Sequence, residues 1–164
     1  GSMEVDTIDT LSTQVALGAI KYATLKGNIL QDSVFDTNKA LSFEGDSGPY
    51  LQYTYARICS ILDKATTVGI TPDVTAAPAQ PYVLERLVYQ FPEVIEDALE
   101  GRAPHKVVTF LTHLAGEYNT FYAKERMTDS HDEHAAYKVA LSKAVGQTLK
   151  NGLWVLSIEA PNAM

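Results

Sequence analysis

An all-α fold, a helical bundle preceded by a helical connector, is what the sequence predicts, and three observations predict it. Apolar residues recur at spacings of three and four over most of the 164 residues. Three of the seven prolines (Pro72, Pro78, Pro81) share one stretch, which makes it the one long loop. A hydrophobic content of 46% against 20% charged suits one buried core at this length and rules out a disordered or collagen-like chain.

Taken in order, residues 7–25 place Ile8, Leu11, Val15, Ala19 and Tyr22 on one helical face, and Gly27-Asn28 supplies a stop. Residues 28–48 have mixed pattern and read as a packed connector. It holds a short extended piece at Val34 and Phe35 and a turn at Gly45-Asp46-Ser47-Gly48. Ser47 can cap the next helix, with Pro49 near its first position, where a missing N–H costs nothing. Leu51, Tyr55, Ile58 and Leu62 then line one face as far as Ala65. After the loop at 66–81, a helix at 82–90 is expected to break at Pro92, and a second short one at 92–100 to end at Gly101. Two long helices follow. Val107, Phe110, Leu111, Leu114, Tyr118, Phe121 and Tyr122 pattern the first, at 103–126, and Ala136, Val139, Val145, Leu149 and Leu153 the second, at 132–155. The tail cannot continue a helix past Pro161 and should lie across the surface.

Thirteen Lys and Arg against twenty Asp and Glu give a net charge of −7, so bulk electrostatics does not draw the chain onto a polyanion. Any nucleic acid must be met at a local patch. Residues 101–164 carry seven basic and six acidic residues, and the acidity lies in the first hundred. A single cysteine, Cys59, excludes an internal disulfide or a Cys-pair zinc site and fits a reducing compartment, with the cytoplasm as the default. No apolar run reaches the length of a membrane span. The opening Gly1-Ser2-Met3 reads as an expression scar.

No catalytic constellation stands out. His131-Asp132-Glu133-His134 could begin a metal site, but no third ligand is indicated, and acids there suit a helix start. His113 reads as a core or boundary histidine and Cys59 as a small buried hydrophobe. No phosphate loop and no nucleophile elbow is present. Tyrosine is in excess: nine, seven of them clustered at Tyr50-Leu51-Gln52-Tyr53-Thr54-Tyr55, at Tyr82 and Tyr89, and at Tyr118 to Tyr122. Exposed rings beside cations hold unstacked bases. Arg57 falls two helical turns after Tyr50 on the same face, and Tyr122 precedes Lys124 and Arg126. Composition alone nevertheless favours tyrosines as helix-packing residues over base stacking.

Several strings together carry a resemblance. They are Leu17-Gly18-Ala19-Ile20-Lys21-Tyr22-Ala23, Val34-Phe35-Asp36, Leu41-Ser42-Phe43-Glu44-Gly45, Gly48-Pro49-Tyr50-Leu51-Gln52-Tyr53, Ala56-Arg57-Ile58 and Phe121-Tyr122, with Gly152-Leu153-Trp154, Ile158-Glu159-Ala160-Pro161 and Met164 at the end. In that order they resemble the C-terminal part of arginyl-tRNA synthetases.

The resemblance implies a class I synthetase cut after its catalytic core. Residues 4–46 would be the end of the connector and 47–164 the all-helical anticodon-binding domain of the DALR type. It implies tRNA-Arg as partner, held by Tyr50, Arg57, Tyr122 and Met164, with no DNA partner and a monomeric, cytoplasmic protein. ATP with magnesium would serve the full-length arginine–tRNA ligase upstream, while this fragment has no cofactor and no catalytic residue. The family usually has charged residues before the last Met, where this chain has Asn162-Ala163. The loop at 66–80 matches nothing in the family pattern. The alternative is a non-catalytic helical interaction module sharing the bundle, as do domains of cysteinyl- and glycyl-tRNA synthetases. The Gly-Pro-Tyr-Leu-Gln-Tyr string and the Met ending favour the first reading.

Overall fold

The computed structural model describes residues 2–28 and 35–164, with side chains from residue 8 onward. Six helices and no strand are found among the described residues: α1 Ser2–Leu25, α2 Thr37–Ala40, α3 Gly48–Thr67, α4 Val83–Glu100, α5 Pro104–Lys124 and α6 Ala135–Val155. The all-α expectation therefore holds, and the extended piece expected at Val34 lies outside the described residues. α3 is central in the packing, touching α1, α5 and α6, while α4 closes over α5 and α6. The core is a continuous cluster built around Tyr22, Leu51, Ile58, Leu111, Leu114, Tyr118 and Leu149.

The start of α3 sets the frame. Ser47 caps it as expected, its Oγ accepting from the Tyr50 N–H at 3.1 Å. Gly48 meets α1 backbone to backbone: a Cβ added there would lie 2.3 Å from the Gly18 carbonyl oxygen. Four residues on, the fully buried Gln52 donates from Nε2 to the Gln14 carbonyl of α1 at 3.2 Å and to the Glu159 carbonyl of the tail at 2.9 Å. One amide thus joins α1, α3 and the C-terminal segment. The tail lies along the bundle as expected, with Ile158 buried and the Asn162 Oδ1 accepting from the Tyr55 hydroxyl at 3.3 Å.

Two local expectations are corrected, and one helix end is borne out with a different cap geometry. α4 runs unbroken through Pro92. An interior proline costs about 3 kcal/mol, but its ring faces solvent here. Burial of Leu84 and Leu87 before it and Ala98 after it, with Phe91, Val94 and Ile95 packed on the core, holds both halves on one axis. α4 ends at Gly101 as expected, Gly101 being its C-cap with a φ of −78°, and the left-handed residue (φ 48°) is the next one, Arg102. The Ala103 N–H then returns to the Ala98 carbonyl at 2.8 Å and closes the helix. α6 begins at Ala135 instead of Asp132, because Asp129 and Asp132 fold their carboxylates onto the His131 and His134 N–H groups at 3.0 and 2.9 Å.

The proline-rich loop docks on the start of α6. The Asp73 N–H donates to the Ala136 carbonyl at 3.1 Å, and His134 Nδ1 lies 2.9 Å from the Ala76 carbonyl. Lys138, buried on α6, donates to Asp132 at 2.7 Å and pairs closely with Glu125, fixing the connection between α5 and α6. Cys59 is half-buried instead of fully buried, its thiol 3.9 Å from the Asn162 Oδ1. His113 is on the outer surface, 3.7 Å from Glu117.

Two outcomes follow for stability. Gly48→Ala forces a methyl into the α1 backbone and should cost at least about 1–3 kcal/mol in chemical denaturation, more than an ordinary Gly→Ala change in a helix. The hydrogen bond from Lys138 holds the Asp132 carboxyl below its ordinary value of 3.8, so the ion adds stability above that pH, lost as pH falls toward the lowered folded pKa. Asp132→Asn keeps the turn and should be the less stable protein at neutral pH. The difference should close below about pH 4, as read by thermal melts across pH.

Candidate nucleic-acid interface

α3 presents Tyr50, Tyr53, Thr54 and Arg57 on one face, at the three- and four-residue spacings that line up along a helix. α5, packed beside it, presents Asn119 and Tyr122 one turn apart. Arg57 is where the two helices meet. Its guanidinium carbon lies 4.7 Å from the centroid of the Tyr53 ring and 5.2 Å from that of Tyr122, and its Nη1 donates to the Asn119 Oδ1 at 2.5 Å. The Asn119 Nδ2 in turn donates to the Tyr50 hydroxyl at 3.0 Å and to the Thr54 Oγ1 at 3.1 Å.

The electrostatics of this group are unusual for so acidic a chain. Among the described residues no carboxylate pairs with Arg57. Two aromatic faces and one neutral amide hold the guanidinium in place without cancelling its charge. Tyr122 is 40% exposed and Tyr50 half-buried, so both rings reach solvent. Lys64 lies a further two turns along α3 from Arg57 and lines a hollow of about 670 Å³ with Tyr122, Arg126 and Ser130. Arg126 there is 3.6 Å from Asp129. Cations and rings therefore run in a band from Tyr50 to the end of α5.

Met164, 38% exposed, stands at the other side of Tyr53 in a hollow of about 690 Å³ lined with Leu11, Val15, Leu41 and Phe43. Phe43 meets Tyr53 edge to face, with centroids 6.2 Å apart. Of the four residues expected to act together, Arg57 and Tyr122 are in direct contact, Tyr50 is linked to Arg57 through Asn119, and Met164 lines a hollow with Tyr53. The tyrosine excess divides accordingly. Tyr22, Tyr55 and Tyr118 are buried packing residues, as composition favoured, whereas Tyr53, Tyr89 and Tyr122 are exposed. Burial and the Asp46 hydrogen bond push the Tyr22 hydroxyl well above its ordinary pKa, and burial pushes Tyr118 up to about 12.

Sequence reasoning missed Asn119. It lies one turn before Tyr122 on the same face of a helix whose neighbours Tyr118 and Phe121 are core, and asparagine is a poor helix former. A polar residue paying that cost between two aromatic core positions was the available signal. The remaining candidates do structural work. His134 docks the loop, and among the described residues no group of three His, Cys, Asp or Glu is arranged to hold a metal.

Comparison with known proteins adds to this geometry. The family model of the DALR anticodon binding domain matches residues 51–164. The chain is 39% identical over its whole length to an arginine–tRNA ligase of Ignicoccus hospitalis and 35% identical to that of Haloarcula marismortui, covering 26% and 29% of those proteins. It thus spans under a third of the length of these curated relatives. Among solved structures, the arginyl-tRNA synthetase of Thermus thermophilus superposes with a TM-score of 0.79 at 34% identity, over 92% of this chain and 27% of that one. That of Plasmodium falciparum shares the fold, with a TM-score of 0.82 at 24% identity, over 99% of this chain and 29% of that one. With the match running from the second turn of α3 to Met164, over the Arg57 group and the tail alike, the chain belongs to the DALR anticodon-binding domain family.

Proposed function

We propose that this chain recognises the anticodon of tRNA-Arg as part of an arginine–tRNA ligase. The observation that carries the reading is the Arg57 guanidinium held between two tyrosine rings, its charge left uncancelled. That arrangement offers stacking faces and a phosphate-binding cation at one place. Tyr122 stacks an unstacked base, Arg57 takes a phosphate, and Tyr50 contacts base or sugar. Met164 meets a base from the hollow it lines with Tyr53. Residues 4–46 are the end of a connector leading from the catalytic part, and 47–164 the recognition domain. In the full-length enzyme ATP and magnesium serve aminoacylation outside this chain, which acts as a monomer in the cytoplasm.

Titration of tRNA-Arg against a second tRNA tests the reading directly: tRNA-Arg should bind preferentially, and equal binding overturns it in favour of a general interaction module. Tyr122→Ala should lose about 1–3 kcal/mol of binding while the melting temperature barely moves, since the ring is largely at the surface. Because Arg57, Lys64 and Arg126 are the cations of the band among the described residues, binding should fall gently with salt, with a logarithmic slope near −2 for about three single-strand phosphates. Removal of Met164 should weaken binding of tRNA-Arg and leave the unfolding curve in place, because a terminal residue past Pro161 holds little core.

A further inference from the structure

The hydrogen bonds around Asn119 have only one consistent direction. Arginine has donors and no acceptor, so the Asn119 oxygen must face Arg57 and its amide nitrogen must face Tyr50 and Thr54. Thr54 fixes the same answer independently. Its hydroxyl proton is committed to the Tyr50 carbonyl one turn back, at 2.9 Å, so toward Asn119 it can only accept. The Tyr50 oxygen therefore accepts from Asn119, and its own proton must be given elsewhere. No acceptor among the described residues takes it. Gly116 stands beside the hydroxyl without a side chain: a Cβ added there would lie 3.9 Å from the Tyr50 oxygen, in ordinary contact.

We infer that Asn119 is a positioning residue that locks the Tyr50 hydroxyl as an outward hydrogen-bond donor, so that this position reads an acceptor atom on the RNA, a keto oxygen or ring nitrogen of a base. Arg57 sets the polarity and Asn119 transmits it. The same cation that meets phosphate thereby decides which hydrogen-bonding edge Tyr50 can recognise. A base presenting an amine at that point would face a donor and be refused, because two donors cannot satisfy one another and both would be desolvated. The inference rests on the tRNA reading above and deepens it.

A double-mutant cycle in tRNA-Arg titration, with a second tRNA as control, tests it. Tyr50→Phe removes the proton and should lower affinity for tRNA-Arg about five- to tenfold. Asn119→Asp keeps the shape and the Arg57 contact but turns the amide donor into an acceptor, which draws the Tyr50 proton inward. It should cost at least that factor, because the carboxylate also offsets the Arg57 charge, and adding Tyr50→Phe to it should cost nothing more. A merely structural Asn119 would give additive losses instead, and additivity overturns the inference, as does a Tyr50→Phe variant with unchanged affinity. Gly116→Leu, which covers the hydroxyl without touching the relay, is the second variant should Asn119→Asp fold poorly. It should reproduce the Tyr50→Phe loss, and retained affinity there likewise counts against the inference. Failure of the wild-type chain to prefer tRNA-Arg is a different result: it removes the functional reading and the inference with it, whereas the outcomes above remove the inference alone.

Discussion

The contact between α1 and the start of α3 is the constraint on which the rest depends. Gly48 lets two backbones touch, and the buried Gln52 amide, one turn later, spans from α1 to the tail. A buried primary amide with both its protons given to carbonyls is costly to replace, because any apolar substitute leaves two carbonyls without donors. With α1 and the tail fixed to α3 in this way, the exposed side of α3 is left to Tyr50, Tyr53 and Arg57. The string from Gly48 to Tyr53 thus has a physical reading residue by residue. Gly48 gives close approach, Pro49 the helix start, Leu51 the core and Gln52 the three-way join, while Tyr50 and Tyr53 face outward.

The arrangement around Arg57 shows how an acidic chain can keep a usable cation. A carboxylate partner would hold the guanidinium as well as Asn119 does, but would neutralise it and compete with any phosphate. Aromatic faces and an amide orient it and leave its field intact. Ion pairs lie elsewhere, on Lys26 and Asp46 near α1 and on Lys138 within the α5–α6 junction, while Arg126 in the band pairs with Asp129. Among the described residues Arg57 carries no such pair.

What could be read from the sequence depended on how local the cause was. The helical period, the Ser47 cap and the N-terminal position of Pro49 act within one turn, and α1, α3, α5 and α6 came out with shifts only at their ends. Pro92 misled because its local cost was outweighed by apolar contacts on both sides of it, made with other helices. Gly101 marked the end of α4 correctly, although the left-handed residue there is its neighbour Arg102. The loop at 66–81 gave no sign of its docking, since His134 and Ala136 lie sixty residues away along the chain and meet it only in the fold. The site followed the same rule. Tyr50 and Arg57 were legible as one helix face, while Asn119 gains its meaning from three partners on another helix.

The tail has one more property. Its last firm backbone anchor is the Glu159 carbonyl on Gln52, after which five residues lead to Met164 beside Tyr53. Extended chain advances about 3.3–3.6 Å per residue, while a hydrogen bond tolerates only a few tenths of an ångström. The segment therefore works as a ruler. Side chains along it, such as Ala163, can change, but its length cannot. One residue gained or lost after Glu159 would move Met164 out of the hollow it lines with Tyr53, and leave every helix where it is.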